Sequence, residues 1–404
     1  MTRPLNVALI GAGLSNSADG RENWAVRAHI PALRHLQGLF RIVAICTAHI
    51  ETATASAKQF GVPWAFDDVE KMLRDLPEID VVCVSVRPAL HHQMVMAALR
   101  AGKHVYCEQP LGLTTAQAQE MCELARERRL RTMIGHQTHY DPASLQMAEL
   151  VNKGYIGRPL TFSHSEFLSN YIAPRPTHRQ WLFSAQMGGH PGYRSGQSLD
   201  RLTMVLGRDV TEICADMSIK VPVRLNLDGG PPIASNQVDN MSYLLSLGDG
   251  LTGTLQVSWT AWFGSGTRFE IYGTDGMMIL MHQIAGRSDP AELSSGQLKL
   301  YGAQADVRNI VNNPSPPERL QRLFSEIPIL DHHHYIPAIE HNQSAFLVAQ
   351  TWYVFAEAIR TGNDCATSFH DKLKIHCIWD AAERSVEKRG WASVDYSALC
   401  SSQS

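Results

Sequence analysis

A chain of 404 residues exceeds the roughly 250–300 at which a single hydrophobic core stops growing, so two domains are expected. A hydrophobic fraction of 44% is ample for both cores, and a formal net charge of −3, with 19% charged residues and no run of like charges, argues against a nucleic-acid partner. No apolar span reaches the ~18 residues of a membrane helix and the opening segment has no cleavage-site pattern, so a cytoplasmic protein without a membrane partner is expected.

Along residues 1–135, short apolar runs alternate with helix-period segments, the pattern of a doubly wound parallel α/β sheet. The runs are Leu5 to Ile10, Arg41 to Cys46, Pro63 to Phe66, Val81 to Val86, His104 to Cys107 and Thr132 to Ile134. Helices are predicted over Trp24 to Leu36, Ile50 to Phe60, Val69 to Asp75, His91 to Ala101 and Thr115 to Arg128, with Gly38, Gly61 and Gly102 as stop signals. Residues 136–404 change character. A helix around Pro142 to Lys153 gives way to predicted strands at Leu160 to Phe167, Val210 to Val223, Val238 to Leu247, Leu251 to Thr260, Arg268 to Tyr272, Met277 to Met281 and Leu298 to Tyr301. Ser246 to Gly250 reads as a hairpin turn, and two amphipathic helices occupy Ser344 to Gly390. This predicts an α+β substrate domain with a large, mostly antiparallel open sheet, whose free face pairs subunits into a homodimer or homotetramer and whose last helices pack back on the first domain.

Eight cysteines without close pairs read as buried free thiols and leave no C-x₂₋₄-C zinc spacing. The tract Asp331-His332-His333-His334-Tyr335 invites a metal reading. Adjacent residues rarely point at one ion, and no H-E-x-x-H or facial-triad spacing accompanies them, so no metal is expected.

Gly11-Ala12-Gly13 lies between the first strand and a helix, where glycine permits a tight turn and brings backbone N–H groups against a pyrophosphate. The third glycine of the usual fingerprint is absent. Leu14, Ser15, Asn16 and Ser17 form a polar insertion that can supply phosphate hydrogen bonds. After the second strand comes Cys46-Thr47-Ala48-His49. With no carboxylate to hold the adenosine ribose, NADP is modestly favoured over NAD.

His29-Ile30-Pro31-Ala32-Leu33, the stretch from Ala101-Gly102-Lys103 to Glu108-Gln109-Pro110, Asp141-Pro142, Gly154 to Gly157, Trp181, Gly188-Gly189 and Asp200 together resemble the Gfo/Idh/MocA (glucose-fructose oxidoreductase and inositol dehydrogenase) family. Gly13-Leu14-Ser15, Trp24-Ala25-Val26 and Ile50-Glu51-Thr52 resemble its branch of proteins similar to the yeast galactose-regulon repressor. The resemblance implies an NAD(P)-dependent dehydrogenase or reductase of a sugar-like or other polar, polyhydroxylated or aromatic small molecule, with the active site between the domains. It implies that Gly11, Gly13, Leu14, Asn16, Thr47 and His49 hold the phosphate and adenosine end, and Val86, His91, Glu108, Gln109 and Trp181 the nicotinamide end.

The departures bear on catalysis. Gln109 stands where the family has the lysine of Glu-Lys-Pro, and Tyr193 and Gln197 stand at its aspartate and histidine positions; only Asp200 is retained. Glutamine donates hydrogen bonds but cannot titrate. Tyr193, beside Arg194, is the first candidate proton donor and His139 the second, with Gln109 and Gln197 beside the reacting carbon. The same departures leave open a catalytically silent ligand-sensing regulator, and redox-neutral glycosidic cleavage with bound NAD.

Overall fold

The computed structural model describes residues 3–14, 23–169, 171–172, 174–175, 177–185, 189, 192–282, 297–305, 324–340 and 342–400, with the backbone alone at 177–178, 192–194 and 400. The first apolar runs pair as a parallel sheet of β1 (Leu5–Ile10), β2 (Phe40–Cys46), β3 (Trp64–Phe66), β4 (Val81–Val84), β5 (His104–Cys107) and β6 (Thr132–Ile134), in the order β3-β2-β1-β4-β5-β6. Val7 and Leu9 enter one core layer and Ala8 and Ile10 the other, so β1 is buried on both faces. This is why it reads as an unbroken apolar run. The helices are α1 (Ile30–His35), α2 (Ile50–Phe60), α3 (Val69–Asp75), α4 (His91–Arg100) and α5 (Thr115–Glu127).

The helix predicted from Trp24 is divided: a π-type turn, Ala25–His29, precedes α1. Pro31 explains it, because its missing N–H cannot bond the Arg27 carbonyl and its ring crowds that carbonyl. The freed Arg27 carbonyl instead accepts from the Asn342 side chain at 3.1 Å.

Asp141 opens α6 (Pro142–Asn152) by accepting the Ala143 and Ser144 N–H groups, each at 3.1 Å. There follow β7 (Pro159–Phe167), α7 (Gly192–Leu206), β8 (Glu212–Ser218), β9 (Val223–Arg224), β10 (Ile233–Ala234), β11 (Asn240–Ser246), β12 (Thr252–Ser258), β13 (Gly266–Gly273), β14 (Gly276–His282), β15 (Leu298–Gln304) and β16 (Ser325–Ile327). The chain closes with α8 (Gln343–Thr361), α9 (Phe369–Lys388), β17 (Ala392–Ser393) and α10 (Ser397–Cys400). Nine strands form one sheet, β16-β15-β14-β13-β7-β12-β11-β8-β17, antiparallel except where β7 meets β12. The β11–β12 hairpin turns over Ser246 to Gly250 as expected, with Asp249 left-handed between two glycines. Helix α7, unforeseen in the sequence, lays Leu199, Leu202, Val205 and Leu206 against this sheet. The polar spacing Gly192, Ser195, Gly196 and Ser198 hides its helical period.

The last helices pack on the first domain. Trp352 of α8 is fully buried, stacks on Tyr106 at 4.7 Å and donates from Nε1 to His29 Nδ1 at 3.0 Å. Helix α9 enters both cores, through Phe369 and Leu373 on one side and Ile375, Ile378 and Trp379 on the other. The two hydrophobic cores are therefore joined through α9. Among the described residues, six of the seven cysteines with described side chains are buried and all seven are free. No described helix is long and apolar enough to cross a membrane.

Candidate active site

Gly11 leaves β1 at φ +96°, and a Cβ there would meet the Ser85 carbonyl oxygen at 2.2 Å. Glycine is thus demanded by the protein itself. Gly13 is different: a Cβ would meet only Thr47 Cγ2, at an ordinary 3.5 Å. Its lack of a side chain leaves backbone accessible at the point where β1 and β4 diverge, which fits close approach by a dinucleotide. The cleft starting here has a volume of about 1410 Å³ and runs past Val86, Glu108 and Gln109 to the second domain. That exceeds the ~300–1,000 Å³ of an ordinary small-molecule pocket and suits a dinucleotide with a second ligand.

At the adenosine end, Thr47, His49 and Thr52 line the cleft, with the Thr47 hydroxyl tied to the His49 carbonyl at 2.8 Å and to Thr52 Oγ1 at 2.6 Å. Asp67, Asp68 and Glu70 line the same end from the β3–α3 turn, and Arg74 joins them. Carboxylates absent after β2 thus lie beside this end of the cleft from the turn after β3 and the start of α3.

Glu108 is held where the domains meet. Its Oε1 accepts from Trp24 Nε1 (3.1 Å), His29 Nε2 (2.9 Å) and Gln137 Nε2 (2.9 Å). Trp352 occupies His29 Nδ1, which leaves the proton on Nε2 to be donated. Gln197 Nε2 donates to Gln137 Oε1 (2.9 Å), and Gln197 Oε1 accepts the Thr138 N–H (3.1 Å). Glutamines thus link α7 to the Rossmann edge without a titrating group. Gly196 makes room for Gln109, whose Oε1 would lie 2.5 Å from a Cβ at that position.

The second-domain wall carries Glu166, Tyr171, Arg175, Trp181, Arg201 and Trp259. Burial raises the Glu166 pKa, against the opposing effects of the Ser198 hydroxyl, which donates to it at 2.5 Å, and of Arg201. Burial lowers the Arg201 pKa, with Asp141, Glu166 and Asp200 opposing. Behind this wall, Asp200 is fully buried and lies 2.5 Å from Lys372 Nζ and 3.0 Å from His139 Nδ1, with His136 at 3.7 Å. Burial alone would raise the Asp200 pKa; Lys372, His139 and His136 hold it well below the usual carboxylate range. Burial likewise works to lower Lys372, but Asp200 and Asp371 raise it.

Of the residues singled out in the sequence, Gly11, Gly13, Leu14, Thr47, His49, Val86, Glu108, Gln109, Trp181 and Gln197 line the cleft. His91 stands behind it, buried, its ring nitrogens 2.7 Å from the Pro110 carbonyl and 3.0 Å from the Val86 carbonyl. It positions the loops that carry Val86 and Gln109. His139 is buried against Asp200 and is not among the lining residues. Asn16 and the side chain of Tyr193 lie outside the described residues, although the Tyr193 backbone falls in the first turn of α7. Glu166 and Arg201 carry no motif, and Asp141 entered only as part of Asp141-Pro142; β7, the α6 cap and α7 meet only in three dimensions. The histidine tract also differs from expectation: adjacent His332 and His333 do converge, on Glu149.

Residues 5–136 match the model of an oxidoreductase family with an NAD-binding Rossmann fold, and residues 144–279 match the GFO/IDH/MocA C-terminal domain. The chain belongs to the Gfo/Idh/MocA family. Levoglucosan dehydrogenase of Pseudarthrobacter phenanthrenivorans is 25% identical over 411 residues, covering 96% of this chain and 98% of that protein. The solved structure of a levoglucosan dehydrogenase in complex with NADH and levoglucosan matches with a TM-score of 0.79 at 23% identity, over 97% of this chain and 100% of that one, and so shares the fold. The galactose/lactose metabolism regulatory protein GAL80 of Saccharomyces cerevisiae is 25% identical over 345 residues, 78% of this chain and 74% of that protein. This member of the family is therefore similar both to a sugar dehydrogenase and to a regulator.

Proposed function

We propose that this chain is an NAD(H)-dependent oxidoreductase that transfers a hydride between the nicotinamide and a carbinol or carbonyl carbon of a polyhydroxylated, sugar-like molecule. The observation that carries this reading is the single cleft joining the glycine turn, Gln109 and the polar, aromatic wall of the second domain. When bound, the nicotinamide supplies or accepts the hydride. Gly11, Gly13, Leu14, Asn16, Thr47 and His49 hold the phosphate and adenosine end, and Val86, Glu108, Gln109 and Trp181 the nicotinamide end.

The Asp67, Asp68 and Glu70 fringe supports NAD(H) over NADP(H), because a 2′-phosphate would meet like charge there. This reverses the preference read from Thr47 and His49 alone. Gln109 and Gln197 orient substrate hydroxyls. Glu166 moves the proton: it lines the cleft, and burial raises its pKa toward the working range of a general acid or base. Tyr193 on α7 is the other donor within this reading; His139 braces Asp200. Subunits pair through the outer face of the nine-stranded sheet, where Leu160, Leu244 and Tyr272 are exposed.

The test is titration of purified protein with NAD and NADP by tryptophan fluorescence, followed by turnover on a panel of anhydrosugars, inositols and aromatic diols at the reduced-nicotinamide band. Tight NAD binding with turnover of one class supports the proposal. Tight binding with no turnover on any class gives the regulator reading, and cofactor that stays bound and cycles invisibly while a glycoside is cleaved gives the redox-neutral one.

A further inference from the structure

Away from the cleft, the third turn of α6 meets the turn Asp331–His333 that leads toward α8. In a 3₁₀ turn successive side chains point about 120° apart and should separate. Those of His332 and His333 do not. Their ring centroids are 4.1 Å apart, and their Nε2 atoms lie 2.7 and 3.0 Å from the same Glu149 Oε2. The two contacts differ in kind. His332 has hydrogen-bond geometry to Glu149. The His333 side chain is only 9% exposed, and its Nε2, although 3.0 Å from the carboxylate, meets no aligned hydrogen-bond partner among the described residues. Proximity without alignment is the geometry of two donors that face a common point rather than each other.

We propose that Glu149, His332 and His333 form a binding site for a divalent transition-metal ion of the zinc type. Two imidazole nitrogens and one carboxylate oxygen are a common zinc donor set. Metal–ligand bonds of ~2.0–2.2 Å at a tetrahedral angle put donor atoms about 3.3 Å apart; here all three lie within 4.8 Å of one another. The site is already assembled from the backbone outward. The Leu330 N–H donates to Gln146 Oε1 of α6 (3.0 Å), and the His333 carbonyl accepts from Gln350 Nε2 of α8 (2.9 Å). His332, 57% exposed, leaves an entry path and room for a water as fourth ligand. Lys153 pairs with the other Glu149 oxygen and leaves Oε2 to the ion. The ion would clip the 331–333 turn to α6, whose capping residue Asp141 lines the cleft.

The experiment uses tag-free, full-length protein stripped with a chelator and titrated with ZnCl₂ by calorimetry, then with CoCl₂ by absorption. One equivalent of Zn²⁺ should bind and raise the melting temperature, and Co²⁺ should show the intense visible bands of a tetrahedral N/O site. His332→Ala, an exposed change, and Glu149→Gln should each weaken Zn²⁺ binding by ~10-fold or more. His333→Ala should do the same, and His332→Ala keeps the test decisive if His333→Ala does not fold. No stoichiometric binding, or binding unchanged in both His332→Ala and Glu149→Gln, would overturn the proposal.

Discussion

Replacing Lys372 with methionine removes the cation that faces a carboxylate with no solvent exposure. Asp200 would then keep His139 at 3.0 Å, His136 at 3.7 Å and the more distant Arg201. Removing one partner of a buried pair costs about 3–5 kcal/mol, because the remaining charge is left desolvated. Lys372→Met should therefore lose that much in urea unfolding followed by the fluorescence of the eight tryptophans. The double variant Asp200→Leu, Lys372→Met should recover at least ~2 kcal/mol of the summed single losses, since both desolvated charges are gone together. The pH dependence has a definite sign. The Asp200 pKa is depressed on folding, so its contribution is present above the unfolded value of ~3.9 and is lost as pH falls through the folded one. The Lys372 pKa is raised, so its contribution is present below ~10.4 and is lost as pH rises through the folded value. The gap between wild type and Lys372→Met should accordingly narrow in acid. A Lys372→Met variant within ~1 kcal/mol of wild type at neutral pH, or strictly additive single changes, would refute this account of the buried network.

The two glycines of the first turn should separate in behaviour. Gly11→Ala forces φ +96° and a 2.2 Å approach on a side chain and should lower stability by about 1–3 kcal/mol or more. Gly13→Ala should leave the melting temperature near wild type while weakening dinucleotide binding ~10-fold, a loss of ~1.4 kcal/mol; fluorescence titration decides between them. Glu166→Gln should lower kcat by ~10²-fold or more and remove the pH dependence that belongs to this carboxyl, with dinucleotide affinity unchanged. If Glu166→Gln stays within threefold and Tyr193→Phe shows the loss instead, the proton role belongs to α7. Asp67→Asn should improve NADP binding relative to NAD by several-fold, about 1 kcal/mol for one like charge removed near the surface; an unchanged ratio in paired titrations would place 2′-phosphate discrimination elsewhere.

Much of the first domain is legible in the sequence because its central strands are buried on both faces and α2 and α4 run into Gly61 and Gly102. The hairpin at Ser246 to Gly250 is legible for the same local reason, since turn chemistry is written in adjacent residues. What escapes the sequence is non-local. The π-type turn before α1 goes with Pro31 and a hydrogen bond donated by Asn342 to the Arg27 carbonyl, more than 300 residues away. Helix α7 is masked by small polar residues where it meets Gln109 and the cleft. The acidic fringe at the adenosine end lies in the turn after β3 and the first turn of α3, so a search confined to the end of β2 passes over it. Glu166 carries no motif, and only the packing of β7 against Ser198 and Arg201 marks it. The histidine tract shows the converse: the side chains of adjacent residues do converge, their Nε2 atoms lying 2.7 and 3.0 Å from Glu149 Oε2.

Every role proposed for the cleft residues rests on hydride transfer between the nicotinamide and a carbon of a polyhydroxylated substrate. Its most direct test is an isotope experiment on the wild-type protein, in which a substrate from the turnover panel carries deuterium on the carbinol carbon and the reduced dinucleotide is recovered for mass spectrometry. One deuterium per turnover should appear on the nicotinamide ring. Recovery of unlabelled dinucleotide alongside oxidised substrate, or no oxidation of any substrate by protein that binds NAD tightly, would contradict it.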